Sequence, residues 1–461
     1  MLMQMTLKRF TEQESRMSGF VSYIDRIARV PFCRLMITLT CVCGSIPGTA
    51  QDQSESIHAI VLTDANSSFR TESRRIQSTD VGLTFPESMP AWTIEKSTLH
   101  GGKQEGSELV TIDNGAMRIV VVPTRGMSIL SVTKYPNRNS GTGTSMELQW
   151  NSPVKEVVHP QNMNLSSRGG LGWLDGFNEW MVRCGLESAG HPGKDEFVNN
   201  VGDKVEMDLT LHGKIGNIPA SKVTVIVDRQ PPYRIRLQGI VHERMFHGPK
   251  LELMTEISTV PGSNSLRISD KVLNHSASEQ EFQMIYHTNF GRPLLEEGAK
   301  TLVAADKIEP MNAHAAKSIQ TASVYGPPTA GFVERVYLAY PKSDSSGLSH
   351  ALIKNRASDR GVSMTWKTSQ LPFFTLWKNT TAESDGYVTG LEPGTGFPFN
   401  RNIERRFGRV PKLRPGESRL FELDFVLHEG TKAVSEFEAA IAKLQGAPPR
   451  LVTEPPTIPS R

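Results

Sequence analysis

From about residue 109 onward, apolar and polar residues alternate with a period of two over run after run of the chain. Val205–Leu211, Lys222–Asp228, Arg234–Ile240, Leu251–Ile257 and Leu266–Val272 alternate cleanly. Met117–Pro123 and Met127–Thr133 read as two further strands around the turn Thr124–Gly126. A period of two places alternate side chains on opposite faces, as in antiparallel sheets with one face in water. Pro231-Pro232, Pro261-Gly262 and Asn274-His275 punctuate these runs as turns. Later strands are predicted at Gln283–His287, Phe373–Trp377, Gly386–Glu392 and Arg419–Leu427. Helical periodicity occurs only at Ala433–Leu444, so the C-terminal 431–461 reads as a short helix and a proline-rich tail, unfolded from Ala447. The expectation is one large all-β domain over 107–430, an antiparallel sandwich, preceded by a polar extension at 51–106 that is a linker or an irregular segment packed on the domain.

Composition supports a strand-rich reading: 38 Gly and 29 Pro punctuate short elements better than long helices. The formal charge of +3 is concentrated in residues 1–50, which carry six Lys/Arg against three Asp/Glu and leave the rest of the chain balanced. A neutral body argues against nucleic acid or anionic lipid as the main partner. The first fifty residues read as a leader: Arg26, Arg29 and Arg34 precede the apolar Leu35–Cys43, and Gly48-Thr-Ala50 offers a small-residue cleavage site. Export to the periplasm or beyond is therefore expected, with Met17 an alternative start. Three of the four cysteines lie in this leader, which leaves Cys184 as a packed thiol with no partner for a disulfide. No apolar run reaches the length of a membrane span.

The candidate chemistry lies where polar residues interrupt the strands. His212 opens a glycine-rich loop that also holds Asn217; His287 ends a predicted strand with Asn289 and Arg292 beside it; Glu392 ends another. Titratable groups at strand-to-loop junctions suit a cleft on a rigid sheet. Singly, a His at a strand end is more often a hydrogen-bonded structural residue. Spacings this long fit no metal motif, and the glycine-rich phosphate motifs and the GxSxG elbow are absent, so neither metal nor cofactor is expected. Proton transfer and glycoside cleavage remain as reaction classes. Trp150, Trp173, Trp180 and Trp377 offer aromatic faces suited to sugar rings, although core packing is the commoner use of each.

Five segments, Pro123–Met127, His212–Ala220, Tyr286–Leu295, Leu376–Thr380 and Gly386–Thr395, together resemble a family of aldose 1-epimerase-like proteins of the galactose-mutarotase-like superfamily. The resemblance covers about 107–430 and implies a large antiparallel β-supersandwich with a sugar cleft. It implies that His287 is a general acid, Glu392 a general base and His212 a ligand of sugar hydroxyls. Trp377, Lys378, Asn379, Arg125 and Arg401 fall in or near the matching segments and are candidates to hold hydroxyls or an anionic group. The Asn/Arg loop expected before the first histidine has no clear counterpart; Asn178 and Arg183 are the nearest. The aspartate expected between acid and base has none. The implied activity is interconversion of the anomers of a free sugar or sugar acid. A non-catalytic carbohydrate-binding sandwich and a glycan lyase or hydrolase stay open as alternatives.

Overall fold

The computed structural model describes residues 57–136 and 145–460; the leader expected over 1–50 lies outside them. Two large antiparallel sheets lie face to face over a single core. The first runs, from edge to edge, through the strands Lys300–Val303, Leu348–Lys354, Arg360–Lys367, Ser418–Glu429, Ser265–Asn274, Lys250–Thr259, Ile235–Arg244, Lys222–Asp228, Ile57–Asp64 and Phe69–Arg70. Its central strands carry the alternation seen in the sequence. Leu251, Leu253 and Ile257 point into the core with Leu266, Ile268 and Val272, while Glu252, Met254, Arg267 and Lys271 face outward.

The second sheet positions the candidate site. Its middle strands are, in order, Arg335–Pro341, Phe373–Asn379, Val388–Gly394, Gln283–Phe290, Met181–Leu186 and Ser128–Lys134. Three of these adjacent strands, Val388–Gly394, Gln283–Phe290 and Met181–Leu186, are buried at every position. One of their faces rests on the core and the other is roofed by loops, which is why they show no alternation in sequence. His287 and Glu392 consequently lie inside strands rather than at their ends, because the roof makes the strands continue past both residues.

Asp270 is a fully buried carboxylate on the inward face of the first sheet, and the second sheet answers it. Arg183 reaches across the core to form a doubly hydrogen-bonded ion pair with Asp270. Arg183 also donates to the Thr255 hydroxyl at 2.7 Å and the Met127 carbonyl at 2.9 Å. The Tyr286 hydroxyl donates to Asp270 at 2.9 Å. Such a buried pair is tolerable because every strong donor and acceptor in it is used. Arg183 therefore belongs to the core and not to a sugar-binding loop.

The polar extension is part of the sandwich. Ile57–Asp64 pairs with Lys222–Asp228, and Thr93–Thr98 pairs with Glu108–Asp113. Leu62, Ile76, Val81, Trp92 and Ile94 supply its anchors in the core. Their wide spacing among polar residues hid the strands. The helix Thr431–Gln445 buries Val434 and Ile441 against Ala304 and Leu352. Beyond it the tail is not unfolded throughout: Arg450–Leu451 runs parallel to Ala305–Pro310, and Leu451 packs on the core. Among the described residues no helix is long and apolar enough to cross a membrane.

Candidate active site

Register brings His287 and Glu392 together. Thr288 faces Leu391 and Ile285 faces Gly394 across two neighbouring strands, which sets His287 opposite Glu392. Directly opposed residues on one sheet face have Cβ atoms about 4.5–5.5 Å apart, close enough for their side chains to meet. His287 Nε2 lies 3.2 Å from Glu392 Oε1. Val182 flanks His287 on one side and Thr375 flanks Glu392 on the other, so four strands contribute one row of the cleft floor. The next row holds Asn289, Gly390 and Trp377.

Asn289 sets the tautomer of His287. Its Nδ2 donates to the carbonyls of Glu179 at 3.0 Å and His287 at 3.3 Å, so its Oδ1 is the acceptor that faces His287 Nδ1 at 2.7 Å. Nδ1 therefore carries hydrogen, and Nε2 is the atom that exchanges protons with Glu392 or a ligand. His212 is held likewise, Nδ1 donating to the Ala189 carbonyl at 3.0 Å. Its backbone is left-handed, with φ 58°, an uncommon conformation for a non-glycine residue and one concentrated at functional sites. Gly213 follows at φ 69°, where an added Cβ would strike the Ser188 carbonyl oxygen at 2.0 Å. This tight turn swings the His212 ring to 5.2 Å from the His287 ring.

Aromatic rings close around His287: Phe177 at 5.3 Å, Trp377 at 5.4 Å and Trp173 at 6.0 Å between centroids. The resulting cleft is about 280 Å³ and is lined also by Leu171, Leu174, His191, Glu334, Val336 and Pro398. This volume lies at the lower end for small-molecule sites and suits one small ring. Burial holds the His287 imidazole well below its ordinary pKa, helped by His212, and lifts the Glu392 carboxyl well above its own, helped by Glu334. Burial lowers His212 to about 4. Burial thus disfavours charge on both members of the pair. Glu392 Oε1, Thr375 Oγ1 and Trp173 Nε1 are buried with no hydrogen bond from the protein. Orphaned polar atoms of this kind in a cleft are what a polar ligand satisfies.

Of the residues singled out in the sequence, Trp173, His212, His287, Trp377 and Glu392 line the cleft, and Asn289 stands behind His287. The others do not enter it. Arg125 is wholly buried in an ion pair with Glu179 at 2.8 Å. Asn178 braces the carbonyls of Val154 and Glu156. Arg292 pairs with Glu383 at a separate polar cavity that Asn178 also lines. Asn217 is buried in the turn after His212, outside the cleft, with both amide atoms unpartnered. Lys378 faces the other side of its strand and donates to the carbonyls of Thr321 and Val324 at 3.2 and 2.6 Å. Asn379 caps the Gly386 carbonyl at 3.4 Å, and Arg401 clamps Asp195 at 2.6 Å. Apart from Asn217, each of these cations and amides is taken up by a structural partner outside the cleft.

Phe177, His191, Glu334 and Thr375 are cleft residues that the sequence did not single out. Glu334 accepts from Trp377 Nε1 at 2.8 Å and so steadies that ring. Thr375 had a usable signal, since it opposes Glu392 in the strand register; the others come from loops with no pattern. Among the described residues no group of three or more His, Cys, Asp or Glu side chains is placed to hold a metal ion.

With the geometry in hand, comparison with known proteins gives the family. Residues 104–427 match the family described as a domain of unknown function, DUF4432. The chain belongs to this family. A crystal structure from Klebsiella pneumoniae, described as that of a candidate aldose 1-epimerase, is 41% identical to this chain. The match covers 87% of this chain and 99% of that one, with a TM-score of 0.78. The resemblance to aldose 1-epimerase-like proteins and the mutarotase-like sandwich expected from it are both borne out by this match. More distant is a galactose mutarotase-like protein from Clostridium acetobutylicum, 12% identical with a TM-score of 0.46 over 72% of this chain and 97% of that one. A candidate aldose 1-epimerase from Escherichia coli K12 is 14% identical with a TM-score of 0.45, over 70% of this chain and all of that one. No protein of curated function matches the chain.

Proposed function

We propose that this DUF4432 protein is an aldose 1-epimerase that interconverts the anomers of a free sugar or sugar acid. The observation that carries the reading is the His287–Glu392 pair, 3.2 Å apart on the floor of a cleft of about 280 Å³ walled by aromatic rings. Opening a pyranose requires a proton on the ring oxygen and removal of one from the anomeric hydroxyl. The neutral resting pair supplies both. Glu392 gives its proton to the ring oxygen, and the His287 Nε2 lone pair takes the anomeric proton. The open-chain aldehyde then faces a carboxylate and an imidazolium, which stabilise each other at ion-pair distance.

Rotation about the C1–C2 bond presents the other face of the carbonyl. Ring closure returns the hydroxyl proton to Glu392, while His287 protonates the new anomeric oxygen. The pair ends as it began. This direction exchanges the roles implied by resemblance, because burial favours an uncharged acid and an uncharged base. His212 Nε2, a lone pair in the neutral ring, accepts from a sugar hydroxyl. Trp173, Phe177 and Trp377 offer apolar faces to the ring C–H groups.

Saturation-exchange NMR between the anomers of a panel of aldoses and uronic acids tests the reading. Exchange faster than buffer is expected for at least one sugar, and Glu392→Gln is expected to lower kcat about 10²–10⁴-fold, the usual worth of a positioned acid or base. Exchange no faster than buffer across the panel, or an equally active Glu392→Gln variant, would overturn it.

A further inference from the structure

A second cavity, about 370 Å³, lies beyond the aromatic wall of the cleft. Phe177 lines the first cleft and Trp150 lines the second cavity, with 4.7 Å between their ring centroids, so these two rings form the partition. Trp150 is a fixed platform. Its Nε1 donates to the Glu179 carbonyl at 3.1 Å. Two glycines leave room for it: a Cβ on Gly291 would lie 2.7 Å from Trp150 Cα and Cβ, and one on Gly386 would lie 2.9 Å from Cζ3.

Around this platform the lining is largely polar: Ser131, Gln149, Asn151 and Asn178, with Arg292 and with Lys155, whose Nζ donates to Asn151 Oδ1. Asn178 is nine-tenths buried, and its two amide hydrogens go to backbone carbonyls, which leaves Oδ1 as an acceptor without a donor. The charge of Arg292 is already answered by Glu383, and its guanidinium lies 5.5 Å from the Tyr387 ring centroid. An aromatic platform, amides and hydroxyls, an ion pair that is already satisfied and a lysine held by an amide fit a polyol ring.

We propose that this cavity is a second carbohydrate site, in which a pyranose packs on Trp150 and donates a hydroxyl to Asn178 Oδ1. The proposal rests on the reading that the chain handles sugars, but it concerns binding at a place where no proton-transfer pair exists. A substrate longer than one ring, or a separate regulatory sugar, would occupy it.

The probes are methyl glucoside, methyl galactoside and the corresponding methyl uronosides, which lack a free anomeric hydroxyl and so report binding without turnover. Intrinsic tryptophan fluorescence follows the titration, and crystals soaked in the same glycosides locate the sugar. A sugar against Trp150 is expected, together with a saturable fluorescence change whose apparent Kd rises at least tenfold in Ser131→Tyr, which fills the cavity. Asn151→Ala, at the rim, is expected to weaken the same phase about threefold and serves if the tyrosine variant fails to fold.

Sugar in the His287–Glu392 cleft alone, with a titration unaltered by either variant, overturns this proposal and leaves the epimerase reading standing. Sugar in the Trp150 cavity without anomer exchange by the enzyme does the reverse. Sugar in neither cavity overturns this proposal, while the epimerase reading is decided by anomer exchange of free sugars.

Discussion

Gly390 offers a sharp test of whether the pair on the cleft floor is the working part. It sits between Asn289 and Trp377 in the strand register, one row from His287 and Glu392. A methyl group added at this position would lie 2.4 Å from Glu392 Oε1 and 3.2 Å from both His287 Cε1 and Trp377 Cε3. The backbone there has no positive φ, so alanine strains nothing locally. The atom that gives way is the end of the Glu392 side chain, which must retreat by about 1 Å to reach ordinary contact. Overpacking a core by one methyl costs roughly 1–3 kcal/mol, and the mobility of a side-chain end puts this case at the lower limit. A 1 Å misplacement of a reacting group costs about 10²-fold in rate. Gly390→Ala should therefore fold almost as well as wild type and lose about a hundredfold in kcat. Anomer exchange by NMR and urea unfolding on the same preparation measure the two quantities. Activity within twofold of wild type, or a loss no larger than the fraction unfolded, would refute the reasoning.

Other perturbations separate fold from chemistry. His212 is held at about 4, below the ordinary histidine value, so the unfolded chain binds more protons between about pH 6.5 and 4. Stability should be complete above that window and fall through it by up to about 3 kcal/mol, and His212→Gln should flatten the slope in urea titrations at several pH values. Asn289→Asp places a carboxylate on His287 Nδ1, which should favour the imidazolium and move the acidic limb of the kcat profile to higher pH; an unmoved limb would deny Asn289 its orienting part. Asp270→Ala leaves the Arg183 guanidinium buried without its partner and should cost about 3–5 kcal/mol by equilibrium unfolding, although Asp270 lies in the opposite sheet from the cleft.

What could be read from the chain depended on which faces meet water. Strands such as Lys250–Thr259 and Ser265–Asn274 announce themselves because every second residue is polar and solvated. Met181–Leu186 has the same backbone but is covered on both sides, so its one charged residue, Arg183, marks the core and not a solvated face. The same cover made His287 and Glu392 look like strand ends. His212, His287 and Glu392 were found because a polar side chain in an apolar run is informative without any knowledge of register. The cations were misplaced for the converse reason. Arg125, Lys378 and Arg401 stand beside the right motifs, but Glu179, two backbone carbonyls and Asp195 claim them, and those partners are distant in sequence or on the main chain. Glu334 belongs to the rim through a single contact with Trp377, which no pattern of spacing encodes.

Tyr286 and His287 are consecutive, and a strand sends consecutive side chains opposite ways. The first is tied through its hydroxyl to Asp270 across the interior; the second presents Nε2 to Glu392 at 3.2 Å. The His287 ring therefore has no hinge of its own. Heating curves followed by turnover and by global melting should superimpose, and improving the enzyme by loosening its floor would amount to dismantling the domain.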